Sequence, residues 1–393
     1  MKKIAIIGAG LTGLAFVNFM KRSKAKFFLF ESKKINPEKN QFYGRHIVLS
    51  NSSKEILIKI GLWEEIKKDI TKIKNIHVSR MGAFGSTLVK SEDEEVDSLG
   101  YQIDLGVLYN IFFKNALTLE NIEFIDNFRV EDVLPGTKCK IVSKDFDDTI
   151  PNTFDSIVFS GGQLDSLYRK FFGEKVCKDY NQTAFVSEIF FDKKPSSTAY
   201  ERFTDMGIIA LLPRKESWTL IYSINNSYLK NLQNNNKELV KDFIQKDIGY
   251  RCGKIKGISN EIFIPLSLEY YEQFSERNLC LLGDAAHKLH PIAGQSYNLT
   301  LRDILVLSEL FKKYDFNNFN LIFKKFLIER DKDIKSTIKF TDSMATQLSD
   351  LDFIRSKLVG LSLFLMDTNK KIKLNSIRYI TGAKPLDSNL TNL

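Results

Sequence analysis

The sequence predicts an α/β protein: a parallel-sheet nucleotide domain, a mostly antiparallel β-sheet domain inserted into it, and a helical C-terminal segment. Three observations predict this. The chain opens on a strand, a glycine turn and a helix. Alternating β runs dominate only between Thr183 and Ile264. Past the apolar run Leu279–Leu282 the spacing of apolar residues is helical. At 393 residues with 43% hydrophobic content, the chain is long enough for about two domains with real cores.

Ile4–Ile7 reads as a short buried strand. It runs into Gly8, Gly10 and Gly13, a GxGxxG turn that encloses Leu11 and Thr12. In such a turn the first glycine allows the sharp bend, the second lets a pyrophosphate approach bare backbone, and the third brings the helix onto the strand. The helix start directs free N–H groups and the positive dipole end at the phosphates. Leu14 to Met20, with Asn18, Lys21 and Arg22, reads as an amphipathic helix that continues. Met1-Lys2-Lys3 before an apolar run mimics a secretory leader, but no small-residue cleavage site follows. Phe27–Phe30 is the second strand. Glu31 at its end lies about twenty residues past Gly8, where an acid takes ribose hydroxyls. Gly8, Gly10, Leu11, Thr12, Gly13 and Glu31 are therefore candidate dinucleotide-binding residues.

A polar stretch, Ser32 to Tyr43, leads to Gly44-Arg45-His46 and the run Ile47-Val48-Leu49; Arg45 is a candidate phosphate contact. Ser53 to Ile66 has helical spacing, Ile76 to Leu88 reads as strands, Ser91 to Val96 as an acidic exposed loop, and Gln102 to Leu119 as a helix. Val130 to Ile157 reads as short strands with turns at Pro135-Gly136 and Pro151-Asn152. Phe154 to Gly162 is a strand ending in glycines, of the kind found at the carboxyl edge of a parallel sheet. Ala184–Phe191, Ile208–Leu212 and Trp218–Ile224 alternate as antiparallel strands, interrupted by a helix over Lys237–Ile248.

The other informative stretch is Asn278 to Asp303. A buried strand runs into Gly283-Asp284; a loop with Pro291 and Gly294 follows; a helix begins near Gln295. An acid at a strand end suits a sugar-alcohol chain, and a helix start after Gly294 suits developing negative charge. Asp284, His287 and His290 lie close enough in sequence to suggest a metal, but Ala285, Ala286, Leu289 and Pro291 among them favour packing, so no metal is expected. Leu305 to Leu365 reads as helical. The apolar run Leu358–Met366 is too short to span a bilayer and suits the core or a membrane surface.

The net charge of +9 is spread along the chain rather than clustered with aromatics, which argues against nucleic acid and leaves an anionic membrane face as a peripheral surface. Four scattered cysteines define no disulfide framework, so a cytoplasmic location is expected. There is no GxSxG elbow and no P-loop.

Taken in order, GAGLTG with Glu31, the FDSIVFSGG strand, and LLGDAAHKLHPIAGQSYNL resemble the aromatic-ring flavoprotein monooxygenases of the p-hydroxybenzoate hydroxylase fold. Within that group the chain is most similar to the ubiquinone-biosynthesis hydroxylases. Gly44-Arg45, Leu99-Gly100-Tyr101, Phe263-Ile264-Pro265-Leu266 and Tyr379-Ile380-Thr381-Gly382 add to the likeness. The resemblance implies a discontinuous FAD-binding domain over 1–75, 100–178 and 275–345, a substrate domain over 76–99 and 179–274, and a C-terminal helical segment over 346–393. It implies FAD as cofactor. Gly8, Gly10, Gly13 and Glu31 would hold the ADP half, and Arg45 would sit near the pyrophosphate. Gly283 and Asp284 would meet the ribityl chain, and Pro291, Gly294, Gln295, Ser296 and Asn298 would line the isoalloxazine edge. It further implies a flavin C4a-hydroperoxide that hydroxylates the ring of a prenylated phenol in ubiquinone biosynthesis. O₂ would be co-substrate and NAD(P)H the electron donor, with association to the inner membrane face or a quinone-biosynthesis complex. It names no catalytic base. Three departures are plain: Gly161-Gly162 replaces the usual Asp-Gly, and Ser296 and Thr300 replace glycines. They motivate a second expectation, a catalytically weak flavoprotein or scaffold of a quinone-biosynthesis complex. A third is a flavin oxidoreductase of the same fold.

Overall fold

The opening strand, Lys3–Ile7, lies near the middle of a six-stranded sheet in the computed structural model, which describes residues 1–347 except 83–85, 148, 162–163 and 234–235. In space the strands run Ser275–Glu276, Leu279–Leu281, Ser156–Phe159, Lys3–Ile7, Lys26–Phe30 and Ile122–Ile125. All neighbours are parallel except the first pair. The central strands are apolar at nearly every position because helices cover both faces. The strand Ile122–Ile125 escapes sequence reading because it is a half-buried edge whose apolar signal is diluted.

The helix after the glycine turn spans Leu11–Phe19 and is buried along its whole length, packed against helices Leu105–Leu117 and Gln295–Lys313. It is not the continuing amphipathic helix expected: it stops at Phe19, and Lys21 folds back to donate to the Ile60 carbonyl. Asn18 is tolerated inside because its Nδ2 donates to the carbonyls of Leu14 at 2.8 Å and Phe112 at 2.9 Å.

Two other boundaries differ from expectation. Gly100–Asp104 is a strand, and the helix begins only at Leu105, because Asp104 caps it by accepting from the N–H groups of Gly106 and Val107. Asn51–Lys59 is a helix capped by Ser50, and Gly61 at φ +77° separates it from the short helix Trp63–Ile66. Ser91–Glu94 is a 3₁₀ turn rather than a plain loop, anchored by buried Ser91.

An eight-stranded sheet forms the second layer. Its order is His287–Lys288, Ile255–Tyr270, Val176–Phe191, Trp218–Asn225, Gly207–Pro213, Thr198–Phe203, Asn75–Arg80 and Ser86–Lys90. It is antiparallel apart from the Thr198–Phe203 and Asn75–Arg80 pair. The helix Lys237–Ile248 forms as expected and covers one face through Val240, Ile244 and Ile248, packed on Leu220, Tyr222 and Ile224. The opposite face looks toward the first sheet. Helices Gln295–Lys313 and Phe319–Gln347 pack on each other. Among the described residues no helix is long and apolar enough to cross a membrane. The segment 348–393, with Leu358–Met366 and Tyr379–Gly382, and also Gly162, lie outside the described residues.

Candidate active site

The glycine turn is built for close approach. Gly8 has φ +110°, a conformation other residues resist, and its N–H donates to the Phe30 carbonyl at 2.8 Å. A methyl group on Gly13 would stand 2.1 Å from the Gly8 carbonyl oxygen, so the helix can lie on the turn only with hydrogen there. Gly10 caps the helix without a side-chain bond, and a methyl on it would meet nothing nearer than a Phe42 ring atom at 3.9 Å. The first-turn N–H groups thus face open space. Glu31 closes the turn: its Oε2 accepts from the Ala9 N–H at 3.0 Å and its Oε1 from the Lys33 N–H at 3.2 Å. The remaining lone pairs are available to a diol.

Opposite stands the strand end at Leu279–Leu281, continued by the turn Gly283–Ala285. Gly283 has φ +65°, and a side chain there would collide with Thr12 at 2.7 Å, so the two glycine-bearing segments touch through Thr12. Asp284 is exposed to the cavity; the protein packed around it pushes its pKa up by desolvation, against the pull of His287 and of Ser296, whose Oγ donates to Oδ1 at 3.2 Å. Gly294, at φ +58°, turns the chain into the helix Gln295–Lys313. Ser296 falls within that helix, so its position does not demand the left-handed backbone that a glycine would supply.

One cavity of about 1060 Å³ joins these pieces. Gly8, Gly10, Leu11, Thr12, Glu31, Arg45, Asp284, Pro291, Gly294, Gln295, Ser296 and Asn298 all border it. Gly13 and Gly283 stand behind it as packing positions. Asn298 borders the cavity, but its amide is saturated by the protein. Oδ1 accepts from the Ser50 N–H and the Ser53 hydroxyl, and Nδ2 donates to the carbonyls of Val48 and Gly294. Its side chain clamps the Val48–Ser50 segment to the helix start.

The cavity fits a dinucleotide cofactor on its own chemistry. Arg45 Nε and His46 Nδ1 are buried without a hydrogen-bond partner among the described residues, and both residues line the wall. The guanidinium N–H of Arg45 is a buried donor that calls for a ligand acceptor, and the His46 ring nitrogen is a second polar atom open to a ligand. His287 and His290 do not converge on a metal. His287 Nε2 bonds Asp303 at 2.6 Å, and His290 Nε2 meets Gln182 Oε1 at 3.1 Å.

Sequence reasoning missed two parts of the wall. Phe128, Arg129 and Val130 line the Glu31 end. They follow the strand Ile122–Ile125 at the carboxyl edge of the sheet, and recognising that strand would have found them. Glu201 lines the other end, on the strand Thr198–Phe203, where Ala199, Glu201 and Phe203 share a face by the period-two rule. Burial pushes its carboxyl up to about 7.

The cavity lies between a mostly parallel sheet and a mostly antiparallel one. The fold is shared with HpxO from Klebsiella pneumoniae, solved in complex with FAD: the TM-score is 0.76 over 98% of this chain and 100% of that one, at 13% identity. The squalene epoxidase family matches residues 211–351. Ubiquinone hydroxylase UbiM from Neisseria meningitidis is 24% identical over 314 residues, covering 78% of this chain and 68% of UbiM. The mitochondrial ubiquinone biosynthesis monooxygenase COQ6 from Dictyostelium discoideum is also 24% identical, covering 79% of this chain and 76% of COQ6. The chain is a relative of the ubiquinone-biosynthesis hydroxylases and has the fold of FAD-dependent monooxygenases.

Proposed function

We propose that this chain is an FAD-dependent monooxygenase that hydroxylates the ring of a prenylated phenol in ubiquinone biosynthesis, with a nicotinamide nucleotide as electron donor. The observation that carries this is the continuity of the cavity. It begins at the bare glycine turn and Glu31, passes Arg45 and Asp284, and opens beyond Gly294 into a chamber walled by Ile76, Leu99, Ile208, Leu212 and Ile221. At about 1060 Å³ it reaches the top of the usual range for ligand pockets, leaving room for a cofactor and a substrate ring together.

Each part has a separate task. Gly8, Gly10 and the first helix N-terminus would bind the pyrophosphate, helped by the unpartnered Arg45 Nε, and Glu31 would hold the adenosine ribose. Asp284 would accept from the ribityl hydroxyls. The Gln295–Lys313 helix start would face the pyrimidine edge of the ring, where its dipole stabilises negative charge. When bound, FAD supplies the reduced ring at which O₂ is activated for transfer to a substrate carbon. The apolar chamber excludes water and holds the substrate ring against that centre. Membrane-face or complex association would let a polyprenyl substrate enter without crossing water.

The expected outcome is a yellow protein after FAD addition and, with a reduced nicotinamide and a short-chain prenylphenol, one labelled oxygen atom from O₂ in the product. A protein that binds no FAD, or a product free of label, refutes the proposal.

A further inference from the structure

We propose that Glu201 is the general base of the reaction: it accepts the phenolic hydroxyl of the substrate ring and takes its proton as the ring is hydroxylated. This rests on the hydroxylase reading above.

Glu201 lies mid-strand, directly across from Val78 on one neighbour and Ala210 on the other. On the flanking strands Ile76, Ile208 and Leu212 line the same cavity, with Ser223 one strand further. Small Ala210 leaves space beside the carboxylate. Among the described residues the Glu201 side chain makes no hydrogen bond and no ion pair. Glu201 is half-buried, and its carboxylate opens to the cavity rather than to bulk solvent; drawing a carboxylate away from bulk water without a partner is costly. Its placement makes sense if a ligand donor meets it. The chamber's position supplies the ligand's chemistry. Ile292, from the loop Pro291–Gly294, packs with Val78, Phe203 and Ile208, the immediate neighbours of Glu201. A ring held between that loop and the sheet is therefore within the same pocket as this carboxylate.

The charged groups nearby do not neutralise it. Arg80, the ionisable residue sharing its face on the flanking strand, is paired with Asp205 at 3.1 Å. The long helix Phe319–Gln347 adds Asp342, engaged by Lys178 and Tyr180. Arg45, His46 and Asp284 belong to the cofactor end. Burial raises the carboxyl to about 7, closer in basicity to a phenol near ~10 than an ordinary glutamate is.

In the step itself the phenolic O–H bond breaks. The proton goes to a Glu201 oxygen and the electron pair moves into the ring. The ring carbon ortho or para to the hydroxyl gains one oxygen atom of O₂; the other atom leaves as water, with two electrons drawn from the reduced cofactor. Loss of the proton at that carbon restores aromaticity, and Glu201 returns its own proton to solvent.

The test uses FAD-loaded wild type, Glu201→Gln and Glu201→Leu, with para-hexylphenol and its methyl ether as probes. Flavin loading, read by absorbance, is expected to be equal in all three. By calorimetry at pH 8, wild type should prefer the phenol over the ether about tenfold. Glu201→Leu should lose that preference by weakening the phenol alone. Glu201→Gln, which keeps an acceptor, should retain part of it, yet lose about a hundredfold or more in kcat together with the acidic limb of the pH profile near 7. A wild type without preference, a leucine variant that keeps it, or a glutamine variant with full kcat overturns the proposal. Preference intact in a wild type that transfers no oxygen sinks the hydroxylase reading while leaving phenol recognition by Glu201 standing.

Discussion

At the scale of single residues, two glycines of one turn do opposite work. A methyl on Gly13 would stand 2.1 Å from the Gly8 carbonyl and 2.8 Å from Ser160 Oγ, which is protein against protein. A methyl on Gly10 would touch nothing within hard-contact range, because the space above it is the cavity. Gly13→Ala should therefore lift the helix from the strand and lower stability by about 1–3 kcal/mol or more, seen as a reduced melting temperature with or without FAD. Gly10→Ala should melt like wild type and lose flavin affinity, measured by fluorescence titration, since its methyl occupies the path of the pyrophosphate. Equal effects of the two substitutions would show that the turn does not divide scaffold from ligand in this way. Ser296 is the third informative residue. The left-handed turn falls two residues earlier, at Gly294, so the backbone at 296 does not demand a glycine, and the serine hydroxyl donates to Asp284.

At the scale of elements, the stretch after Asp284 is tied to the long helices by a buried ionic chain. His287 bonds Asp303, Arg330 Nε donates to Asp303 Oδ1 at 2.6 Å, and Arg330 and Arg302 both meet Asp333. Burial would raise the Asp303 carboxyl, but the Arg330 guanidinium and His287 hold it below the usual range. Arg330→Met keeps the volume but strips that carboxylate of its guanidinium and leaves it His287 alone, so unfolding in urea should lose about 3–5 kcal/mol. Adding Asp303→Leu removes the stranded charge and should restore part of the loss; no restoration would mean that packing, not charge, dominates. These elements also show how far sequence reasoning reaches. The glycine turn and the Gly283–Gly294 stretch were legible because their chemistry is local: turn, strand end and helix start follow from residue types a few positions apart. The boundary at Asp104 was not, because Ile103, Leu105 and Leu108 satisfy strand and helix periods alike until the cap decides. Glu201 was invisible for another reason. In Tyr200-Glu201-Arg202 one charge must face inward, and only the partner strands determine which.

At the scale of the whole molecule, the two sheets enclose the cavity between them, and the groups at that junction couple folding to pH. His290 is buried against Gln182, and burial pushes its pKa down to about 4. An unfolded histidine titrates near ~6.5, so its contribution is complete above that pH and falls away toward pH 4, by about 3 kcal/mol. Glu201 has the opposite sign. Its folded pKa of about 7 lies above the unfolded value, so its burial costs nothing below pH ~4.3 and at most about 3 kcal/mol above pH ~7, less where cavity water reaches the carboxylate. Between these limits the contributions of the two groups largely cancel. Glu201→Gln removes one side of the balance. Without added FAD, that variant should exceed wild type in urea-unfolding stability at pH 8 by up to about 3 kcal/mol. The gain should fade to nothing by pH ~4.5, and the variant's own stability should fall steadily on acidification below ~6.5. Asp284, also raised by burial, is common to both proteins and drops out of the difference. If the two proteins unfold at the same urea concentration at pH 8, the Glu201 carboxylate is solvated in the empty chamber rather than held dry by its walls.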